Sequence, residues 1–387
     1  MTDATVAIAR VLTYEAEEVR KGLSDVLTPL GGMEAFISPG DKVLVKPNFL
    51  IAKGVRKAVT THPEVILAVV EAAFVAGAAE VRIGDSPAIG SGRGVARKIG
   101  LLDGALERGA KIVDFNSPIV VENKDGLRYK RFEVDRNVIE IDKIINLAKV
   151  KTHGQMFLTL AVKNMFGAVV GLRKGAWHFE AGRDADLFAT MIVDLHYFLR
   201  PSLNIIDGVV MMEGNGPNAG TPRDWGVLMA SADAAALDRT VCEGLTLPLE
   251  QLYTHQVALR EGKGIAAAER IRQVGVPLED IRISDVQHPH LAGPGDFYVP
   301  GFLHRLARRL VEVRPKVIAQ RCTGCQLCAK TCPADAIEMA EKPEGAKAKI
   351  SPPLCIHCYC CQEICPEGAI EPRRGLVTRL MKKPGVS

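Results

Sequence analysis

The sequence predicts an α/β protein with two domains: a larger N-terminal domain on a mostly parallel sheet, and a small α+β domain rich in cysteine. Over positions 5–285, short apolar segments rich in β-branched residues alternate with helix-like segments, which is typical of parallel strands connected by helices. Nine of the ten cysteines lie after position 320, which marks a separate C-terminal unit. The length of 387 residues is also too great for one small core.

Six segments read as buried strands, because each is short, apolar and bounded by Gly, Pro or Asp. They are residues 42–46, 79–85, 111–115, 143–148, 203–208 and 225–230. Three segments between or after them have helical character, and the first opens with proline at the first helical position. These are residues 63–78, 185–199 and 233–245.

Turn-forming residues fill positions 286–316, which we interpret as a linker that closes the domain of residues 1–285. Within this linker, residues 302–314 have a basic amphipathic pattern, and we interpret them as a helix that docks between the domains. The alternative is peripheral contact with a membrane surface or an anionic partner. Residues 317–372 form the cysteine-rich domain, and residues 373–387 form a basic tail.

The composition argues against several classes of protein. Aromatic residues make up only 5% of the chain and the net charge is only +4, so we expect no nucleic-acid partner. The N-terminus lacks the order of a signal peptide, and no apolar run approaches the ~18 residues that span a bilayer. We therefore expect a cytoplasmic protein without a transmembrane segment.

The cysteines form two copies of the spacing C-x2-C-x2-C-x3-C-P, which is the bacterial pattern for two [4Fe–4S] clusters. In this pattern the fourth thiolate of each copy reaches the other cluster. We therefore assign one cluster to Cys322, Cys325, Cys328 and Cys365, and the other to Cys355, Cys358, Cys361 and Cys332. Structural zinc is the alternative, but zinc sites rarely use this duplicated order. Cys360 is an additional thiol beside a cluster.

Residues 317–372 resemble a bacterial-type two-cluster ferredoxin. Free ferredoxins of this type are usually strongly acidic, whereas this segment is near charge balance. Since the acidic surface serves to dock on basic partners, near balance fits a module whose main partner is fused to it.

Polar phrases follow several predicted strands, where open α/β sheets place their sites. In order they are KPN (46–48), TTHPE (60–64), GDSP (84–87), AKVKTHG (148–154), VKNMFG (162–167) and DGVVMMEGNGP (207–217). Together they resemble the DUF362 family of uncharacterised proteins, often fused to a ferredoxin, over most of positions 40–245. The resemblance implies an iron–sulfur redox protein and supplies no substrate.

Four lysines lie at or just beyond apparent strand or helix ends. A cluster of ammonium groups in a cleft binds a carboxylate or a phosphate, and the alternative is four unrelated surface lysines. We expect Lys151 and Lys163 to belong to the site, with Lys46 and Lys149 as further substrate-binding candidates.

The remaining candidates are two proton-transfer groups and two amides. His153 has an ordinary pKa near working pH and would supply a proton, although it could equally cap a loop. Asp85 ends a strand and is a candidate general acid or base, or a cap for the next turn. Asn48 and Asn164 suit the orientation of a polar substrate.

Three functions remain open from the sequence. The first is an oxidoreductase in which electrons from an external low-potential donor pass through two [4Fe–4S] clusters to a small anionic, unsaturated substrate in the N-terminal domain. The second is a carrier or adaptor subunit of a larger redox complex. The third is an isomerase or lyase with structural clusters. The glycine-rich segment 90–100 does not complete G-x-G-x-x-G, so the sequence leaves open whether flavin or another second cofactor binds.

Overall fold

The structure, a computed structural model, describes residues 3–171, 173–182, 184–289, 314–341 and 345–373. The strands are β1 (Ala4–Arg10), β2 (Lys42–Lys46), β3 (Glu80–Asp85), β4 (Lys111–Asp114), β5 (Pro118–Glu122), β6 (Arg131–Asp135), β7 (Lys143–His153), β8 (Phe157–Thr159), β9 (Leu203–Glu213), β10 (Thr221–Ser231), β11 (Ile271–Gly275), β12 (Arg314–Val317), β13 (Ile337–Ala340), β14 (Lys347–Ile350) and β15 (Ile370–Arg373). The helices are α1 (Ala16–Leu27), α2 (Pro63–Val75), α3 (Gly92–Lys98), α4 (Leu102–Glu107), α5 (Ala161–Asn164), α6 (Arg173–Ala181), α7 (Ala185–Leu199), α8 (Ala234–Gly244), α9 (Tyr253–Arg260), α10 (Leu327–Thr331) and α11 (Cys360–Ile364).

Within the described residues, nine strands form one sheet in the order β11-β1-β10-β9-β7-β2-β3-β4, and β8 pairs with β7. The pairs β11–β1, β9–β7, β7–β2, β2–β3 and β3–β4 are parallel, so the predicted mostly parallel sheet is confirmed. Strand β10 runs antiparallel to both of its neighbours. It follows β9 after a short loop, and a short loop joins antiparallel neighbours because a parallel crossover needs a dozen or more residues.

Both faces of the sheet are covered. On β7, Ile145 and Leu147 belong to the core beneath α1, α2, α3 and α4. Ile144, Ala148 and Val150 of the same strand belong to the opposite core, beneath α5, α7 and α8. Alternate residues of a strand point to opposite faces, so a central strand with helices on both sides is apolar throughout.

The predicted helices are present, and their ends have local causes. Helix α7 has the predicted bounds, and the Asp184 side chain caps it by accepting from the Leu187 amide at 2.9 Å. His62 caps α2 by accepting from the Glu64 amide at 3.3 Å. Helix α2 ends at Val75, three residues before the predicted end, because Gly77 takes the left-handed conformation (φ 94°).

Three strands extend further than predicted, and one of them is β10, which spans Thr221–Ser231 where residues 225–230 were expected. The sequence predicts that β7 ends at residue 148, but β7 continues to His153 because β8 pairs antiparallel with its last three residues. Strand β9 likewise continues to Glu213, which pairs with Thr221 of β10. The prediction that Lys149, Lys151 and His153 follow the strand of residues 143–148 is therefore wrong, since all three lie in β7 and are buried.

The C-terminal domain repeats one backbone plan twice. Residues Gln326 and Tyr359, which precede α10 and α11, both take the left-handed conformation, with φ of 64° and 60°. Cys332 and Cys365 each accept a hydrogen bond on Sγ from the amide four residues later, at 3.2 Å in both copies. Strand β12 pairs with β15 and β13 pairs with β14.

The predicted helix over residues 302–314 lies almost entirely outside the described residues, and so does the tail from 374 onward.

Candidate functional site

The eight predicted ligand cysteines all lie in the C-terminal domain, and their division between two clusters stays a prediction. Four of them line one hollow of the C-terminal domain: Cys322, Cys325, Cys328 and Cys365. Burial, followed by the neighbouring thiols of Cys358, Cys355, Cys328 and Cys332, raises the pKa of the Cys361 thiol well above its ordinary value. A bound metal supplies the positive charge that lets such crowded, buried thiols ionise, so these residues fit iron–sulfur clusters.

Three side-chain contacts join α11 and its neighbours to the N-terminal domain. Asn218 Nδ2 donates to the carbonyl of Cys365 at 2.7 Å. The Gln362 amide donates to the Asn215 side chain. His153 Nε2 lies 2.8 Å from Oε1 of Glu363. These contacts hold the loop after β9 and the end of β7 against the helix that carries the predicted ligand Cys361.

A cavity of about 100 Å³ lies at this boundary between the domains. Its polar lining comes from the segment after β2, from the end of β3 and the residue after it, and from α5, α6, α10 and α11, as follows: Asn48, Asp85, Ser86, Lys163, Asn164, Lys174, His178, Thr331 and Glu363. Phe49, Leu50, Phe166 and Ile364 supply apolar wall, and the Cys360 thiol lines the cavity beside them. The cavity therefore combines cationic, amide and apolar surface next to a predicted cluster site.

Two cavity-lining groups lack partners among the described residues. Lys163 is only partly buried, and its ammonium has neither a hydrogen bond nor an ion pair within the described residues; desolvation lowers its pKa while Glu363 and Cys360 oppose that shift. His178 is buried, its Nδ1 has no hydrogen-bond partner within the described part of the chain, and burial lowers its pKa to about 4. A buried polar group without a partner is costly, so His178 favours a polar ligand in the cavity, and Lys163 offers that ligand a cation.

Lys174 is a second cation at the cavity. Its ammonium donates to the Ser86 carbonyl, and burial lowers its pKa to about 8, while the nearby Asp85 opposes the shift. The Ser86 hydroxyl in turn accepts from the Gly171 amide at 2.8 Å, which fixes the loop that faces α6. Lys174 can therefore exchange a proton near neutral pH from a defined position.

Lys46 and Asp85 form an ion pair next to the cavity, and Asp85 is the member of the pair that lines it. Their Nζ and Oδ1 atoms are 2.9 Å apart, and both side chains are buried. Asp85 also accepts from the Phe49 amide at 2.7 Å. A side chain at Gly167 would overlap Asp85 Oδ1 and would place a Cβ 2.6 Å from Lys46 Nζ, so glycine is required there.

A chain of side-chain amides runs from the cavity into the core. Lys151 Nζ donates to Asn48 Oδ1 at 2.6 Å, and Asn48 donates to Asn164 at 2.9 Å. Asn164 donates to Asn146, and Asn146 donates to Asn204, both at 2.8 Å. Because every amide points the same way, the chain stabilises the positive charge at its Lys151 end. Burial, followed by repulsion from nearby Lys163, still lowers the pKa of Lys151 to about 7.

His153 does not line the cavity. Its Nδ1 accepts from the amides of Gln155 and Met156, each at 3.1 Å, and Nε2 faces Glu363. Burial lowers the pKa of His153 to about 4, so the ring is neutral near pH 7. Burial acts to raise the pKa of Glu363, but His153 and Lys163 outweigh it and hold that pKa below its ordinary value.

Lys149 lies at a different place. Its Nζ is 2.9 Å from Asp207 and donates to the Tyr14 hydroxyl at 2.8 Å, and Tyr14 donates to Asp207 at 2.8 Å. This network borders a second cavity of about 260 Å³, where the rings of Tyr14 and His62 stack at 3.5 Å. Of the four predicted lysines, the structure thus brings only Lys163 to the domain-boundary cavity, together with the predicted Asp85, Asn48 and Asn164.

The sequence reasoning missed Lys174, His178 and Glu363. Lys174 and His178 lie in the segment 171–178, where two glycines flank basic residues, and this pattern offered a signal for Lys174. His178 and Glu363 carry no local signal, because their role depends on the contact between two distant parts of the chain.

An α/β domain joined to a duplicated cysteine-rich domain, with a polar cavity between them, defines a two-domain iron–sulfur type of protein. A family model described as "Domain of unknown function (DUF362)" matches residues 43–243, and one described as "4Fe-4S dicluster domain" matches residues 321–369. The chain belongs to the DUF362 family and carries a 4Fe–4S ferredoxin domain at residues 321–369.

Two known proteins are similar to the chain. The "Thylakoid-associated protein sll1697" of Synechocystis is 38% identical over 299 residues, which cover 77% of this chain and 92% of that protein. The apoprotein of lactate racemase from Thermoanaerobacterium thermosaccharolyticum matches with a TM-score of 0.38 and 9% identity, over 62% of this chain and 56% of its own. At that level of similarity we infer nothing from the racemase.

Across the described residues, no helix has the length and apolar character to cross a membrane.

Proposed function

We propose that the protein is an iron–sulfur reductase that delivers low-potential electrons from an external donor to an anionic, unsaturated substrate in the domain-boundary cavity. The observation that supports this most directly is the position of Lys163. Its ammonium group faces a cavity that is also lined by Cys360, the residue next to the predicted cluster ligand Cys361. An anion bound by Lys163 therefore lies beside the residues that would hold a cluster.

When bound, the two clusters supply low-potential electrons, one from each. Reduction of a carbon–carbon double bond takes two electrons and two protons, so one electron from each cluster meets the demand. The residues of this chain contribute the binding site, its orientation and one of the protons.

Lys163 binds the carboxylate of the substrate, because a charge-assisted hydrogen bond to an ammonium group is about twice as strong as a neutral one. Asn48 and Asn164 line the same cavity and are held in place by the amide chain that begins at Lys151. Their fixed orientation favours one pose of the bound substrate.

We assign the proton donor to Lys174 in preference to the sequence candidates His153 and Asp85. Lys174 lines the cavity, whereas His153 faces Glu363 outside it. Asp85 lines the cavity but is held in an ion pair with Lys46. A donor with a pKa of about 8 is mostly protonated at pH 7 and still gives up its proton readily. The second proton comes from solvent.

The test is a single-turnover experiment under anaerobic conditions. The protein is reduced, an unsaturated carboxylate is added, and the recovery of cluster absorbance is followed. We expect Lys163→Met to slow reoxidation about 10- to 100-fold, the loss expected for one hydrogen bond to a charged group. The control is Lys98→Met at the end of α3, an exposed lysine away from the cavity, which should react at the rate of the parent.

Equal rates in the parent and in Lys163→Met would reject the assignment of the site. If no unsaturated anion reoxidised the clusters, while a redox protein co-purified stably with the chain, the carrier or adaptor function would replace the reductase.

A further inference from the structure

The size of the domain-boundary cavity limits what can react in it. The cavity volume is about 100 Å³, and Phe49, Phe166 and Ile364 form parts of its wall. An apolar cavity of about 150 Å³ holds one benzene molecule, so this cavity holds about four to six non-hydrogen atoms. A short unbranched chain fits, whereas a fused-ring or tetrapyrrole substrate does not.

The charges around the cavity limit the charge of the ligand. Lys163, Lys174 and Glu363 line the cavity, and in their ordinary charge states the two lysines are cations and the glutamate is an anion. The charges of Asp85 and Lys46 cancel, because these two form an ion pair. The balance is one excess positive charge at the cavity. A thiolate-bound cluster beside Cys360 adds negative charge, which disfavours a second anionic group further.

We propose that the cavity selects a short, unbranched, unsaturated monocarboxylate and rejects dicarboxylates and bulky acids. This inference rests on the proposed function and specifies its substrate class. The carboxylate binds Lys163, and the double bond next to it lies against the apolar wall. The reaction balances as one carbon–carbon double bond, two electrons and two protons giving one saturated carbon–carbon bond, with the electrons supplied by the reduced clusters.

The first experiment measures binding alone, by calorimetric titration of the anaerobic, oxidised protein, so that no electron transfer is required. The probes are acrylate, crotonate, fumarate and cinnamate. We expect acrylate and crotonate to bind, and fumarate and cinnamate to bind at least about tenfold more weakly. Fumarate tests the charge limit, and cinnamate tests the size limit.

Variants of two lining residues test the location. Lys163→Met should abolish crotonate binding, and Lys163→Arg should retain part of it, since the positive charge remains. Leu50 lines the cavity and is only half-buried, so Leu50→Ala should fold and should improve cinnamate binding relative to crotonate. Lys98→Met is again the control and should bind crotonate as the parent does.

The inference is overturned if fumarate or cinnamate binds as tightly as crotonate, or if Lys163→Met binds crotonate unchanged. The experiments distinguish failure of the proposed ligand class from failure of the proposed reductase function. Crotonate that binds as expected but does not reoxidise the reduced clusters supports the ligand class and rejects the reductase. Reoxidation by a larger or doubly charged acid supports the reductase and rejects the ligand class.

Discussion

The imidazole of His153 and the carboxylate of Glu363 meet across the domain boundary, with Nε2 2.8 Å from Oε1. His153 is the last residue of β7, and Glu363 lies in α11 of the ferredoxin domain. Two backbone amides donate to Nδ1 of the ring, so the proton of the neutral imidazole is on Nε2, the ring atom that lies next to the carboxylate. One contact thereby ties the central strand of the sheet to the helix that carries the predicted ligand Cys361.

We expect these two residues to be energetically coupled. A double-mutant cycle with His153→Phe and Glu363→Gln should give a coupling energy of about 1–3 kcal/mol, because each single variant leaves a buried polar partner behind. The free energy of unfolding of the four proteins is measured with denaturant. The exposed pair Lys21–Asp25, also 2.8 Å apart, serves as the control and should show almost no coupling. Additive effects at His153 and Glu363 would contradict the prediction.

Gly167 should tolerate no side chain. Gly167→Ala places a methyl group against Asp85 and Lys46, and separation of this buried ion pair should lower the free energy of unfolding by about 3 kcal/mol. At Gly54 an added methyl group meets nothing within 4 Å, and φ is −62°. Gly54→Ala should therefore change stability by less than about 0.5 kcal/mol. Equal stability of the two variants would refute the packing argument.

The cysteine assignment predicts different iron contents for two adjacent residues. Cys361→Ala removes a predicted ligand and should lower the iron content of anaerobically purified protein from about eight to about four atoms. Cys360→Ala removes a thiol outside both ligand sets and should retain all of the iron. Iron and sulfide are counted chemically, and the absorbance spectrum is recorded. Equal iron loss in the two variants would place Cys360 among the ligands.

His196 should make the protein less stable in acid. Burial lowers the pKa of His196 from its ordinary value of 6.5 to about 3, so the unfolded chain binds this proton first as pH falls. Its contribution to stability therefore declines as pH falls from about 6.5 toward 3, by about 1.4 kcal/mol per pH unit for one proton.

The His196→Leu variant should lose that part of the slope when unfolding is measured between pH 7 and 5. Phe198→Leu alters the same helix without removing a titrating group, and it should keep the slope of the parent. An unchanged slope in His196→Leu would assign the acid sensitivity to other groups.

Local patterns of the sequence determined much of this protein. Apolar periodicity placed α7 at its observed bounds, and the spacing of the cysteines predicted the duplication that the left-handed residues Gln326 and Tyr359 repeat in the backbone. Asp85 and Asn48, which end or follow predicted strands, both line the cavity, and so does Asn164 of α5. The bounds of α7 and the cysteine duplication depend on residues close together in the chain, so a single sequence carries them.

Tertiary structure alone decided which lysine faces the cavity. Pairing with β8 carries β7 on to His153, and burial then commits Lys149 to Asp207 and Lys151 to the amide chain. Lys163 faces Glu363, which lies two hundred positions later in the chain. Contacts of this kind depend on how distant segments pack and which charges they bury together, and no local pattern encodes that.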